Sequence, residues 1–159
     1  MRLDPSSGRP SESIATCLHG IGGVLAHLDE LAAIYLPNAS SYRRIVPGAF
    51  ALFPQAWGLD TRTALRICGG DVNLSLVLAA LVAADADGIR NRIDPGAPAQ
   101  GDLAAPDVER LPLDWGEALD AFEASGWVKS ALGEECCRAC TLVKRHECEV
   151  SRCSMSAQE

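Results

Sequence analysis

The chain has 159 residues, with 14 basic and 21 acidic side chains, a net charge of −7, seven cysteines and 48% apolar residues. Its length suits one domain and little more, and its apolar content excludes a disordered chain. The overall acidity argues against a nucleic-acid or anionic-membrane partner, because both need a basic surface.

That charge is unevenly placed. Residues 85–123 hold ten acids and three bases, whereas residues 38–68 hold Arg43, Arg44, Arg62 and Arg66 against the single acid Asp60. The opening MRLDPSSGRPSES lacks the apolar run of a signal peptide. The longest uncharged apolar stretch, Val72 to Ala84, is too short to cross a bilayer as a helix. A cytoplasmic protein with reduced thiols is the expectation, and an odd cysteine total suits a disulfide framework poorly.

In chain order, residues 1–10 are rich in Pro, Ser and Gly and read as a mobile N-terminal segment. Ser11 or Ser13 then caps one long helix with Ile14, Leu18, Ile21, Leu25, Leu28, Ala32 and Tyr35 on a single face. Gly20, Gly22 and Gly23 weaken that helix and suggest close approach of another backbone, and Pro37 ends it. Residues 38–48, NASSYRRIVPG, read as a loop. Extended segments are expected at 49–57 and 61–68. A second helix starts near Asp71 and runs to Gly88, a natural stop. It is apolar nearly all round, so deep burial is expected.

Residues 90–112 read as surface loop. Asp114 and Glu117 make a capping-box-like start for a short helix bearing Leu119 and Phe122, which Gly126 closes. A last helix begins around Trp127 or Glu134. This order suggests an α+β fold, mainly helical with a few antiparallel strands, too few for a free-standing sheet.

Chemistry points to residues 40–66. Arg43, Arg44, Arg62 and Arg66 are planar, permanently charged clamps for carboxylates and phosphates, and Ser40, Ser41 and Tyr42 add hydroxyls. In a strand, Arg62 and Arg66 would share a face. A solvated surface strand accounts for the same pattern. In the tail, five cysteines fall within residues 136–153. Cys137, Cys140, His146, Cys148 and Cys153 are numerous enough for a structural zinc site. Against zinc, the spacing lacks a second tight knuckle, and Cys136, Cys140, Val143, Glu147 and Val150 follow a helical stripe in which cysteine packs as a small apolar residue.

The stretch LPNASSYRRIVPGAFALFPQAWGLDTRTALRI resembles the signature of the glutamine synthetase family, N-P-x-x-N-S-Y-K-R-L-V-P-G followed by W-G-x-D-N-R-[ST]. GIGGVLAHLDELAAIYLPN is similar to the helix before that loop, GGDVNLSLVLAALVAADADGI to the family's G-x-D-x-N-P-Y-L-x-x-A-A-L segment, and SALGEE to a late helix. The likeness is co-linear from about residue 9 to 135. It implies residues 11–135 as the C-terminal portion of a glutamine synthetase/guanido kinase-like catalytic domain, followed by a divergent Cys-rich tail, 136–159.

The resemblance also implies an ATP-dependent ligase that phosphorylates glutamate and lets ammonia or an amine displace the phosphate, with Mg2+ or Mn2+ as cofactor. It implies that Arg44 clamps glutamate, Arg62 meets the transferring phosphate, Arg66 contacts the nucleotide, and Tyr42 supports the loop or binds substrate. It implies, finally, ring-like homo- or hetero-oligomers.

The chain departs from the family in four ways. It starts after the N-terminal β-grasp domain and most metal ligands, which leaves no expected metal-binding residue. The join from Cys68 to Asp71 is too short for an E-x-R or N-x-R motif. One residue is missing between the positions of Arg62 and Arg66, which in a strand reverses a side chain's face. Phe50 stands where ammonia-using relatives carry the glutamate of G-Y-E-A-P, as in the glutamate–amine ligase branch. The expected function is therefore a fragment or truncated member of this ligase family. The alternative is a catalytically inactive paralogue acting as an assembly or interaction subunit.

Overall fold

The computed structural model describes residues 12–43, 67–98 and 111–156. Seven helices occur among them: α1 (Glu12–Ala26), α2 (Leu28–Tyr35), α3 (Ala39–Tyr42), α4 (Leu74–Asn91), α5 (Trp115–Ala124), α6 (Gly126–Leu132) and α7 (Glu134–Ser156). No strand occurs among the described residues. The expected mobile segment 1–10, the extended segment 49–57 and residues 61–66 of the other lie outside the described residues. Ile67 and Cys68, the end of the latter, are irregular.

α1 lies against α4, and α2 bridges α4 to α5, which in turn packs on α7. The core is built mainly from α2 (Leu28, Leu31, Ala32, Tyr35), the inner face of α4 (Val77, Ala80, Ala84) and α5 (Trp115, Leu119, Phe122). Fully burying a side chain such as Leu31 or Phe122 contributes about 1.5–3 kcal/mol.

The single long helix expected over 13–35 is broken. α1 and α2 meet at 73°, with His27 between them at φ −106° and ψ 9°. Backbone hydrogen bonds nonetheless cross the bend, from His27 N to the Gly23 carbonyl (3.2 Å) and from Leu31 N to the His27 carbonyl (3.1 Å). The Gly22-Gly23 pair just upstream is a place where helices bend readily.

The buried residues of α1 are glycines rather than its leucines. A Cβ on Gly23 would lie 2.1 Å from the Ala84 carbonyl oxygen and 2.6 Å from the Gly88 backbone, and one on Gly88 would lie 2.2 Å from the His19 carbonyl oxygen. The glycines thus mark a backbone-to-backbone crossing. Gly88, expected to stop the helix, serves the crossing, and α4 continues to Asn91. Arg92, in the left-handed region at φ 52°, ends it.

α4 is also not buried all round. Val77, Ala80, Ala84 and Gly88 face inward, while Leu74, Leu78 and Val82 are 65%, 51% and 65% exposed. α1 and α2 cover one side only of this apolar helix. Ser125 serves as both C-cap of α5 and N-cap of α6, donating no space to a loop, so Gly126 begins a helix instead of closing one.

In the tail, α7 turns Cys137 and Cys148 inward and leaves Val143 and Val150 55% and 52% exposed. The expected stripe has the right period but the wrong phase. Arg145 pairs with Asp120 and Glu123 (2.9 Å to the latter), and Arg152 with Asp114 (3.2 Å), at the exposed margin of the contact with α5.

Gly23→Ala is expected to destabilise the chain by about 1–3 kcal/mol, the usual cost of overpacking. Gly126→Ala, where an added Cβ meets nothing within 4 Å, is expected to be neutral or stabilising by up to about 1 kcal/mol. Urea unfolding of both variants checks the contrast.

Candidate functional site

The turn that introduces the arginines is built around Asn38. Pro37 prevents α2 from continuing, and Asn38 follows in extended conformation (φ −155°, ψ 167°) as the N-cap of α3. Its Oδ1 accepts hydrogen bonds from Ser41 N (3.0 Å), Ser40 Oγ (2.7 Å) and Ser41 Oγ (3.2 Å). Its Nδ2 donates to Asp71 Oδ2, in the loop ahead of α4. One amide side chain therefore closes α3 and ties it to a segment 33 residues away.

A second tie runs alongside. Gly69 N donates to the Tyr35 carbonyl oxygen at 2.9 Å, which holds the Gly-Gly-Asp loop against the end of α2. A Cβ at Gly69 would lie 2.9 Å from both Ser41 Oγ and Asp71 Oδ1, so a larger residue here would push these two side chains aside. Asn73 then caps α4, its Oδ1 accepting from Leu76 N at 3.2 Å. Two asparagine caps and one carboxylate thus fix the mutual position of α2, α3 and α4.

Tyr42, expected to support the loop or bind substrate, is 6% exposed, and its hydroxyl has no hydrogen-bond partner among the described residues. Burial, then the nearby Asp114 carboxylate and Cys148, push its phenol well above the ordinary tyrosine range. Arg43, the C-cap of α3, donates its backbone N–H to the Ala39 carbonyl (3.2 Å) and is exposed. It borders two cavities of about 270 and 360 Å3 beside Trp115 and α7. Arg44, Arg62 and Arg66 lie outside the described residues.

A further cavity of about 360 Å3 lies between α2, α5 and α7. Ile34, Leu119, Phe122 and Val143 give it apolar walls, with Asp71, Asn73 and Lys144 as polar lining. No group of three or more His, Cys, Asp or Glu side chains is placed to hold a metal ion among the described residues. These residues therefore do not fit a divalent-metal site. Cys137 donates weakly to the Val128 carbonyl (Sγ–O 3.6 Å), and burial pushes its thiol up, as packing cysteines behave. Asn38 and Asp71 were not among the residues singled out from the sequence. The Pro-Asn-x-Ser-Ser pattern carries a capping signal that identifies Asn38, and Asp71 is the acid of the G-x-D-x-N motif, which does not name its partner.

A family profile described as "Glutamine synthetase, catalytic domain" matches residues 5–159. The chain belongs to the glutamine synthetase family. The match includes the Cys-rich tail. A gamma-glutamylethanolamide synthetase of Streptomyces coelicolor is 37% identical over 131 residues, which are 74% of this chain and 28% of that protein. A glutamine synthetase of Halobacterium salinarum is 32% identical over an alignment of 167 positions, gaps included, that covers 91% of this chain and 37% of the relative. The solved structure of GmaS without ligand superposes with a TM-score of 0.77 at 29% identity, covering 87% of this chain and 35% of the other. The GmaS complex with ADP gives the same TM-score and identity. The chain therefore spans about a third of the length of these relatives. No single helix among the described residues is long and apolar enough to cross a membrane.

Asn38→Ala and Asp71→Ala are each expected to cost about 0.5–2 kcal/mol, as lost caps and their partners do. Because the two side chains contact each other, the double variant should cost less than the sum by about 0.5 kcal/mol or more. A double-mutant cycle in urea measures this coupling.

Proposed function

We propose that this chain supplies part of the active site of an ATP-dependent glutamate–ammonia or glutamate–amine ligase, which forms a γ-glutamyl amide through γ-glutamyl phosphate. The observation that supports the reading is the clamped turn at Asn38, which carries Arg43 and stands just before Arg44 in the sequence of a chain of this family. Arg44 holds the glutamate carboxylate, Arg62 meets the transferring phosphate, and Arg66 contributes to ATP binding. Permanent positive charge at these points stabilises the negative charge that builds as phosphate moves to the acyl oxygen. Tyr42 acts from below, by packing. ATP brings Mg2+ or Mn2+, and the metal ligands come from residues other than the described ones.

The likeness to a gamma-glutamylethanolamide synthetase and to GmaS, with Phe50 in place of a glutamate, favours an amine over ammonia as acceptor. An apolar side chain there neither attracts nor deprotonates ammonium. The reading also takes the protein to be cytoplasmic, with residues 136–159 as a packing extension of the domain. The remainder of the catalytic machinery comes from a longer chain or a neighbouring subunit in an oligomer.

A second reading, an inactive paralogue that serves as an assembly subunit, draws on the exposed stripe Leu74, Leu78 and Val82 along α4. Ligand-induced thermal stabilisation separates the two. With Mg2+ or Mn2+ present, ATP at 100 times its dissociation constant should stabilise the chain by about 2.7 kcal/mol. Arg62→Ala should abolish that response, and Arg44→Ala the response to glutamate. An absence of any response, with co-elution alongside a full-length synthetase at fixed stoichiometry, supports the assembly reading.

A further inference from the structure

His27 sits where α1 meets α2, outside every residue assigned above to substrate binding. Its side chain is 13% exposed and touches three helices. Nδ1 lies 3.1 Å from Glu30 Oε2 on α2, and Nε2 lies 3.0 Å from Asp87 Oδ2 on α4. The imidazole lies flat on Trp127 of α6, with ring centroids 3.5 Å apart and planes 9° from parallel. α1 contributes the Gly23 carbonyl, which accepts the His27 backbone N–H. Among the described residues, the titratable groups facing the ring are Glu30 and Asp87.

Ionised carboxylates only accept hydrogen bonds, and a neutral imidazole has one N–H to donate. Serving both carboxylates therefore requires the imidazolium, which has two. A cationic ring stacked on the face of an indole gains further attraction. The Asp87 carboxyl is held below the ordinary carboxylate range, chiefly by the hydrogen bond from His27, against the opposing effect of burial, with Asn91 also donating at 2.9 Å. The same hydrogen bonds favour the ionised, accepting form of Asp87.

We propose that His27 is a proton-operated latch: its doubly protonated ring clamps the α1–α2 bend to α4, and loss of one proton to water releases the clamp. Without that proton, either Glu30 or Asp87 faces a ring lone pair, and one of the two contacts becomes repulsive. The sign follows. Latch stability is present while the ring carries both protons and is lost once it carries one. At the acid end it is lost as pH falls through the depressed titration of Asp87. Because α2 leads directly into Pro37 and Asn38, opening at His27 loosens the element that carries the Asn38 turn.

The test is NMR on the full 159-residue chain. The His27 ring titration is followed together with amide exchange at His27 and Leu31, whose hydrogen bonds cross the bend, relative to Ala118 in α5. Relative exchange at the two bend amides should rise about tenfold across the ring titration, the scale of losing a charge-assisted hydrogen bond. In Glu30→Gln the new amide can donate to the neutral ring, so the step should shrink below twofold while the fold persists. His27→Gln, if it folds, should show no step. The proposal is overturned by an absent step in the wild-type chain, by a step of undiminished size in Glu30→Gln, or by a step at a pH where the ring does not titrate.

Discussion

The close crossing of α1 and α4 is the constraint on which the other contacts depend. Gly23 and Gly88 leave no room for a Cβ on either backbone. Their contact brings the helices closer than leucine or valine could allow. One turn beyond Gly23 stands His27, and beside Gly88 stands Asp87, so the 3.0 Å contact between these two side chains is a direct consequence of that proximity. α2 then leaves the crossing at a steep angle and carries Leu28, Leu31 and Tyr35 into the core.

From the end of α2, a short path leads to Arg43. Tyr35 takes Gly69 through its carbonyl, Pro37 stops the helix, and Asn38 gathers Ser40, Ser41 and Asp71. Each contact is worth on the order of 1 kcal/mol net, but together they leave the turn few alternatives. A binding loop that must present cations at fixed spacing benefits from such support, since a misplaced guanidinium loses much of its value to a developing anion. The buried Tyr42 fits the same logic, as a wedge beneath the turn.

Much of the helical layout was legible in the residues, because three- and four-residue apolar spacing survives in a buried helix. The bend at His27 was not, since its partners Asp87 and Trp127 are 60 and 100 residues away. α3 escaped detection because four residues carry no period, although Asn38 after Pro37 is a local capping signal. The extent of α4 was misjudged at Gly88, where a glycine serves packing instead of termination. The phase of α7 is displaced by one residue from the expected stripe, with Cys137 and Cys148 as its buried members. For the site, the co-linear motifs identified the family and include Asp71, while its contact with Asn38 is tertiary and has no local signal.

The central proposal is that Arg44, which follows the turn clamped by Asn38 and Asp71 in the sequence, meets glutamate, and that Arg62 meets phosphate. An experimental structure of the chain with glutamate and an ATP analogue bound tests it most directly. The account requires the glutamate carboxylate on Arg44 and a nucleotide phosphate on Arg62, with the Asn38–Asp71 contact intact. Ligands bound away from these arginines, or an occupied site with that contact broken, would contradict it.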